Sequence, residues 1–103
     1  MAMEHIEISG RIVCKFSGNM DTNACMDIEK QLTALLEKHG TEGKKLPFEF
    51  DLGDVNYVAS SFLRLCAKAT KSLGTGNVNV VKVTPVVKKV FKIAGFSEML
   101  RID

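Results

Sequence analysis

The chain has 103 residues, of which 46% are hydrophobic and 25% charged, a composition typical of folded globular proteins and unlike that of disordered ones. Fourteen Lys and Arg against twelve Asp and Glu leave a formal charge of +2, too mild to require a nucleic acid or an anionic membrane as partner. A length of this order allows one hydrophobic core, so residues 1–103 are expected to form a single domain.

The chain opens with a predicted hairpin. Ile6 and Ile8 alternate with His5 and Glu7, and Ser9-Gly10 provides a two-residue turn. Beyond it Ile12, Cys14 and Phe16 alternate with Arg11, Val13 and Lys15. Period-two patterns on both sides of a glycine-containing pair predict two half-buried antiparallel strands. The residues Ser17 to Asn23 break the alternation and read as a loop with potential helix caps. A first helix is predicted over Asn23–Lys38, with Ile28, Leu32, Leu35 and Leu36 on one face. Gly40 is placed as its C-terminal cap.

Phe48, Phe50 and Leu52 alternate with Glu49 and Asp51, predicting a strand over Phe48–Leu52 that Gly53 to Tyr57 leads away from. A second helix is predicted over Ser61–Leu73, ended by Gly74, with Ser60 or Ser61 accepting hydrogen bonds from its first turn. The Val-rich stretch from Asn77 to Val83 reads as a strand buried on both faces. Thr84-Pro85 then starts a third helix running to Ala94, with Val86, Val90 and Phe91 or Ile93 and Ala94 as its apolar face. The tail Phe96 to Ile102 is left as a short docked element. The order ββαβαβα predicts an α/β domain: a mixed sheet with an N-terminal antiparallel hairpin and three to four covering helices.

The segment FDLGDVNYVASSFLRLC, Phe50 to Cys66, resembles the central signature of STAS domains, the sulfate-transporter and anti-sigma-factor-antagonist family. Ser17-Gly18-Asn19-Met20-Asp21 is similar to the family's loop before the first helix, and Val80 to Ile102 to its final strand and helix. The resemblance implies a STAS-like fold and a protein-binding role. The family's antagonists bind an anti-sigma factor, often kinase-like, and are released from it when a Ser or Thr at the start of the second helix is phosphorylated. By position, the resemblance makes Ser61 the phosphorylation candidate, with Ser60 beside it. It also places a partner surface at Asp21, Ser60, Ser61, Phe62, Arg64 and Leu65.

Two residues depart from the family pattern. Ala59 stands where an acidic residue precedes the serine pair, and Phe62 where a glycine follows it. A phenyl ring beside the hydroxyl is expected to obstruct a kinase and slow phosphorylation unless it turns into the core. The departures also suit an alternative reading, a non-switching STAS subunit of a transporter or other regulatory complex. A nucleotide or small-ligand sensor rests on family analogy alone. Phe62 reads either as core or as an exposed anchor, and Asp21 either as a helix cap or as a recognition residue.

Catalysis is not expected. Gly74-Thr75-Gly76 lacks the rest of a phosphate-binding loop and leads into a strand, and no Ser–His–Asp arrangement is suggested. His5 and His39 stand apart from each other and from any cysteine at ligand spacing, so neither metal nor cofactor is expected. Cys14, Cys25 and Cys66 include no C-x-x-C pair and read as small core residues in a reducing cytoplasm. The opening residues, MAMEHIEISG, carry no apolar run, so no signal peptide is expected, and no stretch nears the ~20 apolar residues of a membrane span. Lys82, Lys88, Lys89 and Lys92 cluster around the third helix, either as a solvated face or as a site for an acidic partner or phosphate.

Overall fold

The computed structural model describes residues 3–39, 46–74, 76–96 and 101–102. In chain order they form β1 (Met3–Ile8), β2 (Arg11–Met20), α1 (Thr22–His39), β3 (Phe48–Val58), α2 (Ser60–Leu73), β4 (Val78–Val81), α3 (Pro85–Ile93) and β5 (Arg101–Ile102). The strands lie side by side in sequence order; β1 pairs antiparallel with β2, and the remaining pairs are parallel. The predicted mixed sheet, hairpin and three helices are all present. Gly40 and its predicted cap fall outside the described residues.

The hairpin closes because Ser9 and Gly10 both take positive φ, 52° and 76°, the left-handed geometry that a type I′ turn requires. From β2 onward each helical crossover advances one strand in the same direction. Right-handed crossovers therefore put all three helices on one face. That face carries Ile12, Cys14 and Phe16 from β2, Phe48, Phe50 and Leu52 from β3, and Val78 and Val80 from β4, all essentially without solvent contact. Phe16 sits edge-to-face between Phe50 and Phe62, with ring centroids 5.3 and 5.1 Å away, a favoured aromatic geometry.

The opposite face stays open, which corrects two expectations for the strands, and a third is corrected on α3. Only Met3 of β1 is buried, so β1 is not half-buried: Ile6 and Ile8 lie on the uncovered side. β4 alternates between buried and half-buried residues and is not covered on both faces. It also ends at Val81, because Lys82 adopts φ 57° and turns the chain. On α3, Val87 and Phe91 face the core, leaving Val86 and Ile93 exposed.

Two segments read as loops are strand. β2 runs through Ser17, Gly18 and Asn19 to Met20, and β3 runs past Gly53 to Val58. The register of β3 against β2 slips twice, from Lys15↔Asp51 to Ser17↔Asp54 and from Gly18↔Val55 to Asn19↔Tyr57. Each slip gives β3 an extra residue, a bulge that breaks the alternation by which strands are recognised. At the first slip the Gly53 amide donates to Asp51 Oδ1 at 2.9 Å. A Cβ at Gly53 would come within 3.2 Å of that oxygen.

Candidate functional site

Parallel strands β2 and β3 end level with each other, tied by the Ala59 amide donating to the Met20 carbonyl at 2.8 Å. Helices α1 and α2 begin directly after them, so their N-terminal turns stand side by side at the carboxyl ends of the strands, a usual location for α/β recognition sites. Asp21 caps α1: its Oδ1 accepts from the Ala24 amide at 2.9 Å. The capping role is thus observed, and it ties down one oxygen of an otherwise exposed carboxylate.

The start of α2 is built differently. Its N-cap residue is Ala59, in extended conformation with no side-chain hydrogen bond. Ser60 and Ser61 occupy the first two helical positions and neither caps, correcting the expectation that one would. Ser60 is exposed and Ser61 half-exposed. The Ser61 hydroxyl instead donates to Thr22 Oγ1 at 3.4 Å, a long contact joining the two helix starts.

Phe62 is 1% exposed and packs against Phe16. Its ring has turned into the core and presents almost no surface at the helix start. Leu65 is 4% exposed and presents little surface of its own. Arg64 is exposed. Together Ser61, Arg64 and Leu65 line a shallow pocket of about 210 Å³ with Thr22, Cys25, Met26 and Glu29 of α1. The sequence reading missed those four α1 residues, of which Met26 is 64% exposed. Their spacing marks one helical face, as does that of residues 61, 64 and 65. The pairing of the two faces depends on the parallel packing of α1 against α2, where Lys68 Nζ also donates to Thr33 Oγ1 at 2.7 Å.

The pocket has an uncharged floor, a hydroxyl pair at one end, and Glu29 and Arg64 contributing opposite charges. Burial raises the Cys25 thiol above its ordinary range, and the nearby carboxylates of Asp21 and Glu29 raise it further, against a lowering contribution from Ser61. The group is therefore a neutral thiol near neutral pH and not a nucleophile. Among the described residues no cluster of three His, Cys, Asp or Glu side chains could hold a metal, and no helix is long and apolar enough to cross a membrane. The arrangement suits docking of another surface: exposed hydroxyls, an exposed apolar Met26 and two helix N-termini.

Solved structures share this architecture. An anti-sigma factor antagonist from Mycobacterium paratuberculosis superposes with a TM-score of 0.82 at 19% identity, covering 97% of this chain and 82% of that one. The unphosphorylated anti-sigma factor antagonist SpoIIAA gives 0.76 at 19% identity, covering 99% and 88%. The phosphorylated form of the Bacillus cell fate determinant SpoIIAA gives 0.71 at 16% identity, covering 99% and 91%. No curated protein matches the sequence. The family model for the STAS domain matches residues 3–103, and with the mixed sheet and its helices on one face, the chain belongs to the STAS domain family.

Proposed function

We propose that this chain is a partner-switching protein of the anti-sigma-factor-antagonist type, a cytoplasmic, non-catalytic module that docks an anti-sigma factor on the paired starts of α1 and α2. Ser61 is its regulatory phosphorylation site in this reading. The observation that carries it is the position of Ser61: half-exposed at the rim of the pocket, its hydroxyl directed to Thr22, with the Phe62 ring withdrawn into the core. The likeness to antagonists solved with and without phosphate adds support at the level of fold.

The physics of the switch is local. A phosphate adds about −1.5 to −2 charge. Two adjacent helix N-termini tolerate that charge within the fold. A partner packed against a neutral hydroxyl does not, because its surface must desolvate and make room for a bulky dianion.

Incubation with the cognate kinase-like anti-sigma factor and ATP, followed by phosphosite mapping, tests the reading. Phosphate is expected on Ser61, lost in Ser61→Ala and retained in Ser60→Ala. Partner binding without any phosphorylation would favour the non-switching subunit, in which the paired helix starts form a constitutive interface.

A further inference from the structure

Two surfaces away from the α1–α2 site complement each other. On the outer side of α3, Val86 and Ile93 are 68% and 77% exposed, with half-buried Val90 between them. Residues 86, 90 and 93 form one stripe at i, i+4, i+7 spacing. Lys89 and Lys92 flank it, both exposed, and α3 contains no acidic residue. At the other edge of the sheet, the open face of β1 and β2 forms a groove of about 370 Å³ whose lining includes Ile6, Val13 and Glu4. Ile6 is 57% exposed.

The charges make the match directional. Two other charged residues of the groove are already engaged within the chain: Lys15 faces Asp54 at 3.6 Å, although Glu4 is its ladder neighbour, and Asp51 faces Lys82 at 3.6 Å. Among the described residues no ion pair engages Glu4, Lys89 or Lys92. The groove thus offers an apolar floor beside a carboxylate, and α3 an apolar stripe beside ammonium groups. The groove lies on β1 at one edge of the sheet, whereas α3 connects β4 to β5 at the other. One molecule therefore cannot bring them together.

We propose that copies of this chain associate head to tail, the α3 stripe of one copy lying in the β1–β2 groove of the next. Such a contact is heterologous: each pairing leaves a free stripe at one end and a free groove at the other, so the assembly extends past a dimer. The stripe is short, which places the contact among weak, concentration-dependent interfaces. A lipid surface fits less well, because α3 has nine residues and no exposed aromatic side chain of the kind interfacial helices use.

The test is sedimentation equilibrium of the full chain from micromolar to millimolar concentration at low salt, with thermal melting to confirm that surface variants stay folded. The wild type is expected to rise in mass beyond a dimer, and Ile93→Asp and Ile6→Lys are each expected to remain monomeric alone. Mixed together, the two variants should form a capped pair and stop there, since the intact stripe of Ile6→Lys fits the intact groove of Ile93→Asp. A wild type that stays monomeric throughout, variants that still associate, or a mixture that forms no pair would each overturn the proposal. So would phosphatidylserine vesicles that bind the wild type and not Ile93→Asp while protein mass stays constant, which would assign the stripe to membranes.

Discussion

Helices α1 and α2 rise side by side from strands that end level, yet their first turns are finished in opposite ways. In α1 the Asp21 carboxylate accepts from the Ala24 amide at 2.9 Å, so an acidic side chain is consumed in holding the helix start. In α2 the equivalent position is Ala59, whose side chain cannot cap; its carbonyl accepts from the Phe62 amide at 3.0 Å, and the Ser61 hydroxyl turns to Thr22 Oγ1 at 3.4 Å. What fixes α2 is Phe62, wedged against Phe16 beneath the turn. One helix start is secured by polar capping from outside, the other by aromatic packing from inside, and only the second has no side chain bonded to its own first-turn amides.

The largest effect expected from this contrast is at Phe62. Phe62→Ala should cost about 3–5 kcal/mol of stability, the usual range for truncating a fully buried phenyl ring, as read from urea denaturation. A loss below about 1 kcal/mol would be the value for a surface residue and would remove the internal anchor of α2.

Alkaline pH probes the same packed floor through its thiols. Burial pushes the Cys14 thiol up to about 12 and raises those of Cys66 and Cys25 as well. The folded protein therefore keeps protons that the unfolded chain releases above its ordinary thiol value of about 8.5. This contribution is intact below that value and is lost as pH rises toward the folded value, at about 1.4 kcal/mol per pH unit for each fully buried thiol. Urea midpoints should fall steadily above about pH 9, less steeply in Cys14→Ala. An unchanged midpoint up to about pH 10.5 would show the thiols to be accessible to solvent.

Smaller effects separate the two caps themselves. Asp21→Ala should cost about 1 kcal/mol and Asp21→Asn much less, because an amide oxygen also accepts from the first turn. Ala59→Asp should stabilise by about 0.5–1 kcal/mol by supplying the cap that α2 lacks. Equal, negligible changes at both positions in thermal melts would erase the contrast.

The sequence carried the regular parts of this architecture. Alternation at Ile12, Cys14 and Phe16, and at Phe48, Phe50 and Leu52, marked the covered face of the sheet, and Thr84-Pro85 and Gly74 marked helix ends. The sequence was opaque where a residue's surroundings come from distant chain. Bulges erased the alternation beyond Asp51, so the last residues of β3 read as loop. Ile6, Ile8, Val86 and Ile93 are apolar and patterned like core, but no periodicity says that a sheet face lacks a covering layer. At the site, the family pattern pointed to Ser61, Arg64 and Asp21. The α1 side of the pocket, Thr22, Cys25, Met26 and Glu29, emerged only from helix packing.

The most direct measurement is calorimetric titration of the proposed anti-sigma-factor partner with the wild type and with Ser61→Asp, alongside melting curves for both. The account predicts that Ser61→Asp binds at least about tenfold more weakly, a change of roughly 1.4 kcal/mol, while its melting temperature stays within about 2 °C because an acid in the first turn of a helix is acceptable to the fold. Undiminished binding by Ser61→Asp would contradict it and remove the start of α2 from the partner interface.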